Sequence, residues 1–309
     1  MIINLLRYFF INNFKIINKM YKLRDWINVN EVNWCWLSAM PNAIDLLEQN
    51  LDRIDWMYLS YNLSAIHLLE QNQHKIDWMY LSYNSSAIHL LEKNIDKINW
   101  YCLSRNPSAI HLLEKNLDKI DWKSLSINPC AIHILEQNLD KIDWERLSLN
   151  SSAIPILEQN LNKIDWDNLS SNTGAISILK KNLNKIDWDN LSRNYGVIPI
   201  IEQNLDKINW DGLSSNPSAI HLLEKNKDKI NWKYLSENPS AIHLLEENLD
   251  KIDWYCVTRN PSVFQLDYFA LKERCEIYKE ELIQVALHPS RIQKYLNQGI
   301  SFEDLDDYI

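Results

Sequence analysis

The chain has 309 residues, with 32 Lys and Arg against 41 Asp and Glu, giving a formal net charge of -9 and a pI near 5.4. That balance disfavours a broad electrostatic grip on phosphate backbones or anionic membranes. The five cysteines, Cys35, Cys102, Cys130, Cys256 and Cys275, are odd in number and form no CxxC pair, so they indicate neither a disulfide framework nor a zinc site and fit a reducing compartment.

At the N-terminus the apolar run from Leu5 to Ile11 is broken by Arg7, Asn12, Asn13 and Lys15. It falls short of the ~18 residues a membrane span needs, and no small-residue cleavage site follows. Residues 1–33 are therefore expected to be an extension and capping segment, with translation from Met20 as the alternative reading.

From Trp34 onward internal periodicity decides the architecture. Trp34, Trp56, Trp78, Trp100, Trp122, Trp144, Trp166, Trp188, Trp210, Trp232 and Trp254 are each 22 residues apart with no insertion. The unit Asp121 to Ile142 reads as two helices. Asp121 can cap the first, in which Trp122 and Leu125 share a face. Asn128-Pro129 then restarts the chain, Asn as an N-cap and Pro in the first turn where its missing amide costs nothing. In units carrying Pro155 or Pro199 the second helix is expected to start later, near Ser152 or Gly196. Along the second helix Ala131, Ile132, Leu135 and Leu139 form the predicted apolar stripe, and Asn138 stops it by adopting a left-handed conformation.

Columns of equivalent residues separate framework from freedom. The tryptophans and the Asn column that includes Asn116, Asn138 and Asn160 read as structural, and the Ser column from Ser38 to Ser236, ending in Thr258, is expected to hydrogen-bond turn backbone within or between repeats. A continuous coiled coil is excluded by Pro107, Pro129, Pro217 and Pro239, and a leucine-rich repeat by the position two after the first-helix leucine, which is Ile127 in the Asp121 unit but Tyr61, Arg105, Ser171 or Glu237 elsewhere. The fold class is therefore an all-α solenoid of 22-residue helix-turn-helix repeats, with ten tandem repeats over 34–254 and a C-terminal helical cap over 255–309. In that cap 267–286 and Pro289 to Leu296 are predicted helices, and Ser301 with Asp304 a capping pair. An open arc of ~90 Å follows if each repeat adds roughly 9 Å.

The unit Trp-x-x-Leu-Ser-x-Asn-Pro-Ser-Ala-Ile-His-Leu-Leu-Glu, clearest from Trp100 to Glu114, resembles the short tandem repeats of uncharacterised proteins from mimivirus-like giant DNA viruses. The segment from Glu281 to Leu296 is similar to the C-terminal part of many of them. The resemblance implies a host-cytoplasmic or virion setting and carries over no activity and no site.

No GxSxG, HExxH or glycine-rich phosphate loop is present, and only four glycines are available; no enzyme, cofactor or metal is expected. The His column (His67, His89, His111, His133, His221, His243) is too widely spaced for a metal ladder, since stacked helices stand about 8–10 Å apart, and it reads as structural or solvated. The Lys141 column reads as solvated charge. Repeats disagree most at Lys123, Ser124, Ile127 and their equivalents. Stacking turns these into a stripe carrying Tyr58, Tyr61, Tyr80 and Tyr83 early, Arg146, Asp167 and Asp189 in the middle, and Tyr234 and Tyr255 late. Tyr and Met suit recognition, so a protein-binding scaffold is expected, with a structural virion protein and a helical-repeat nucleic-acid binder as alternatives.

Overall fold

The computed structural model describes residues 21–272 and 288–297. Contacts divide the chain into two units, Leu23–Phe264 and a second comprising Met1–Lys22 with Gln265–Ile309. In the second unit, Pro289–Asn297 is helical and residues 268–272 form one helical turn. Residues 273–287, Ser301 and Asp304, like residues 1–20, lie outside the described residues. The short strands β1 (Tyr21–Leu23) and β2 (Phe264–Leu266) pair with each other, which the repeat pattern does not anticipate.

The larger unit is all-α. Each repeat begins with a short helix, such as Trp122–Ser126, capped by the preceding carboxylate or amide; the Asp121 side chain accepts from the Ser124 amide. A tight turn follows, and then a second helix, such as Ile132–Glu136. Its core side is Ala131, Ile134 and Leu135, all buried. Leu139 does not join them: it opens a 3-10 turn, Leu139–Lys141, and is half exposed. Nor does Asn138 stop the helix through a left-handed backbone. Its φ is -138° and ψ 50°, and its side-chain amide closes the helix by donating to the Ile134 carbonyl at 2.9 Å. In units with Pro155 and Pro199 the second helix starts at the same isoleucine as elsewhere, Ile154 or Ile198, with proline in the first turn.

Two buried polar columns tie the units together. Ser126 Oγ donates to the Trp122 carbonyl at 2.8 Å and accepts from the Asp143 amide of the next unit at 3.0 Å. Asn128 uses its whole side chain. Its Oδ1 accepts from the Cys130 amide at 3.0 Å, and its Nδ2 donates to the carbonyls of Ser104 at 3.0 Å and Asn106 at 3.1 Å in the preceding unit. Asn62, Asn84, Asn150, Asn194, Asn238 and Asn260 repeat this pattern. The bridges are dry, since these asparagines are at most 2% exposed.

Consecutive first helices bring their backbones within 8 Å of each other. Second helices meet through side chains, as in His111 Nε2 to Glu92 at 2.9 Å. The first helices therefore form the inner layer and the second helices the outer one. On the inner layer Leu59 points into the core and Ser60 and Tyr58 towards neighbouring units, leaving Met57 and Tyr61, one turn apart, on the open inner side.

The arc does not stay open. Eleven first helices run from Trp34–Ala39 to Trp254–Val257, and the eleventh unit lacks its own closing turn. Residues Asn28 to Asn33 supply it. The Asn33 amide donates to Thr258 Oγ1 at 3.2 Å, the same bond that Asp55 makes to Ser38. Arg24 adds its amide to the Val263 carbonyl at 2.9 Å, its Nε to the Ser262 carbonyl at 2.8 Å and its Nη1 to Glu246 at 2.6 Å. Trp26 donates to the same Glu246 at 3.0 Å and packs against Trp254 with ring centroids 6.5 Å apart. Part of the segment read as an N-terminal cap thus completes the last repeat, and the unit is a closed ring whose members turn about 33° each.

The Asn128→Ala variant strands the Ser104 carbonyl and the Cys130 amide and removes one of the two donors to the Asn106 carbonyl, so a loss of about 2–3 kcal/mol is expected, read as a lowered urea midpoint. At the seam Met40 stands where an asparagine stands in the other units. Replacing both Arg24 and Trp26 by Ala is expected to speed hydrogen exchange of the Asn33 amide by at least about tenfold while leaving the Asp143 amide unchanged.

Candidate functional site: the wall of first helices

The side chains on the inner wall divide by depth. Tyr61 and Tyr255 are exposed, as are Asp167 and Asp189, whereas Tyr58, Tyr80, Tyr83, Arg146 and Tyr234 are half-buried. The three positions grouped in the sequence are thus not equivalent. The Ser124 column lies between units: Ser124 is only 4% exposed and Cys102 1%. Large residues in this column stack on one another. Trp36 meets Tyr58 with centroids 5.5 Å apart, and Tyr58 meets Tyr80 at 6.0 Å. The guanidinium of Arg259 lies 4.8 Å above Trp36 and 5.1 Å from Tyr255, carrying the stack across the seam.

A second row runs one turn further along. Tyr61 meets Tyr83 edge-on at 6.4 Å, and Arg105 follows at 5.8 Å from the Tyr83 ring. Burial and a hydrogen bond to Cys102 push the Tyr83 hydroxyl up to about 12, so it stays a neutral phenol. In the middle repeats the wall is polar: Asn168 Nδ2 donates to the Glu145 carbonyl and Asn190 Nδ2 to the Asp167 carbonyl, both at 3.2 Å. Asp189 accepts from Asn209 at 3.0 Å and Asp211 from Asn231 at 2.9 Å.

The first position after each tryptophan is exposed in every unit except at the half-buried Cys35, and closure fixes the order of this column. Tyr255, Cys35, Met57, Met79 and Tyr101 become consecutive across the seam. Lys123 follows, then Glu145, Asp167, Asp189 and Asp211, and Lys233 returns to the start.

The remaining candidates resolve as structural. Lys141 is not simply solvated charge: its Nζ lies 4.4 Å over the Trp122 ring, and Lys75 and Lys163 lie similarly over Trp56 and Trp144. Each structural tryptophan from Trp56 to Trp232 is covered in this way by the lysine 19 residues later; the structure places Trp78, Trp100, Trp166, Trp188 and Trp210 in the same arrangement. That fixed spacing is legible in the sequence. Asn116 and Asn160 close their helices as Asn138 does. Each column histidine pairs with one glutamate of the preceding unit, from His67 with Glu48 to His243 with Glu224. Among the described residues no group of three or more His, Cys, Asp or Glu is placed to hold a metal ion, and no helix is long and apolar enough to cross a membrane.

Two wall cysteines are poor nucleophiles. Burial pushes the Cys256 thiol up from 9.0 to about 12, with hydrogen bonds to Glu237 and Asp253 adding to it. Burial likewise raises Cys102. Cys130 is exposed. At pH 8 iodoacetamide is expected to modify Cys130 at least about 100-fold faster than Cys256, because only the thiolate reacts; peptide mass spectrometry over a time course reads the ratio.

Comparison of the chain with family models, with curated proteins and with solved structures gives no match.

Proposed function

We propose that this protein is a non-enzymatic scaffold that holds a partner protein along its wall of first helices, in the reducing setting its unpaired thiols suit. The observation that carries the reading is the placement of large apolar side chains on a surface the fold does not need them to cover. Met57 and Met79 are 38% and 48% exposed, Tyr61 48%, Tyr101 47% and Tyr255 52%. Burying such residues is worth about 1.5–3 kcal/mol each for a full-sized apolar side chain, and about half of it is left ungained among the described residues. Tyr and Met give broad contacts at low conformational cost, the chemistry of binding hot spots. The framework beneath is rigid, because each unit except at the seam is hydrogen-bonded to the next through buried Ser and Asn side chains. A surface presented on such elements loses little entropy on binding.

Tyr58 and Tyr80 are poor test positions because they pack between units. The exposed positions are better. Affinity capture from cells expressing the chain, with wild type beside a variant carrying Tyr61→Ala, Met79→Ala and Tyr255→Ala, is expected to show captured polypeptides reduced at least about tenfold in the variant, each truncation costing about 1 kcal/mol or more. A circular dichroism melt within a few degrees of wild type shows the variant folded. An unchanged set of captured proteins rejects the wall as the binding surface.

A further inference from the structure

The order of side chains around the closed wall restricts the kind of partner it fits. In an open arc Tyr255 and Met57 would lie at opposite ends. Closure brings them together with only Cys35 between them, so the column after the tryptophans holds one apolar arc from Tyr255 through Cys35, Met57 and Met79 to Tyr101 and one unbroken acidic arc from Glu145 to Asp211. A single lysine stands at each border, Lys123 and Lys233. Arg146 and Arg193 stand on the same helices as the acidic arc, and the carboxylates Asp143, Asp165 and Asp187 that cap those helices outnumber them.

The opening between these arcs has a limited width. Eleven helices spaced about 8–10 Å apart on a circle put their axes some 14–18 Å from its centre. Subtracting about 5–6 Å for side chains leaves an opening on the order of 20 Å across. An α-helix with its side chains is about 10–12 Å wide, so one helix fits with room for long side chains on either flank. A folded domain does not. A duplex nucleic acid would press its phosphates against the acidic arc.

We infer that the ring takes a single amphipathic α-helix of a partner protein, its apolar face on the Tyr255-to-Tyr101 arc and its Lys- and Arg-bearing face on the Glu145-to-Asp211 arc. The inference rests on reading the wall as a binding surface and adds the chemistry of what is bound. A helix with apolar residues at three- and four-residue spacing meets one arc, and its basic side chains reach across to the other. Opposite charge steers the helix in and fixes its rotation about its own axis.

The test uses the full chain and three fluorescent peptides of about 20 residues, the length of a helix spanning roughly 30 Å. One is a Leu/Lys peptide patterned as an amphipathic helix. The second keeps the pattern with Glu for Lys, and the third has the Leu/Lys composition without the pattern. Fluorescence anisotropy is expected to show binding of the first at least about tenfold tighter than of either control, weakening as salt rises. Glu145→Lys with Asp167→Lys on one arc, and Met57→Lys with Met79→Lys on the other, are each expected to weaken it at least about tenfold. All four positions are exposed, and a circular dichroism melt confirms that each variant is folded. Equal binding of the Glu peptide, or Leu/Lys binding indifferent to both pairs of substitutions, overturns the inference. If the affinity capture above depends on Tyr61, Met79 and Tyr255 while the Leu/Lys peptide fails to bind, the wall stands as a binding surface and the helical basic ligand is rejected.

Discussion

The structure depends on a carboxamide that is completely used. A buried asparagine has two donor hydrogens and an acceptor oxygen to satisfy, and Asn128 spends the hydrogens on two carbonyls of the unit before it and the oxygen on an amide of its own turn. No other side chain of that size offers both. Aspartate would set an acceptor against two carbonyls, and leucine would leave the Ser104 carbonyl and the Cys130 amide unpaired. Each unit is thereby held in one register against its neighbour, and the same relative rotation is applied at every step.

Around that joint the apolar parts are small. First helices of four to six residues are too short to be stable alone, because nucleating a helix costs more than one turn returns. Leu125, Ala131 and Leu135 reach zero exposure only because a neighbouring unit covers them, so folding energy resides largely between repeats. The tryptophan is less central than its regular spacing suggests. It is half-buried and finished on its outer face by a lysine, a cation over an aromatic ring worth about 0.5–1 kcal/mol at an exposed site.

Much of this architecture is legible in the amino-acid order. The Trp spacing yields the period, Asn128-Pro129 the break between helices, and the invariant Ser and Asn columns their role as backbone partners. Leu139 misleads because its i+4 spacing from Leu135 mimics a continuing stripe, when Asn138 has already ended the helix. The division of labour within the variable stripe is hidden for a related reason. Ser124 and Lys123 are adjacent in sequence, but only packing tells which of them lies between units. Closure is the hardest feature to foresee. Asn28, Val32 and Asn33 do match the repeat's turn, yet the match is short and stands directly ahead of the first unit rather than after the last. Nothing local says that it belongs to the far end of the chain.

A solenoid with free ends can gain or lose a repeat and remain a solenoid. The pairing of Asn33 with Thr258 removes that freedom. Ten units would each have to turn about 36° and twelve about 30°, a change every asparagine joint would have to absorb at once. Duplication of a single 22-residue block, the ordinary route by which such chains lengthen, would here prise apart the seam. The repeat number is set by geometry, and because eleven is odd each position on the inner wall faces the gap between two fixed units across the ring.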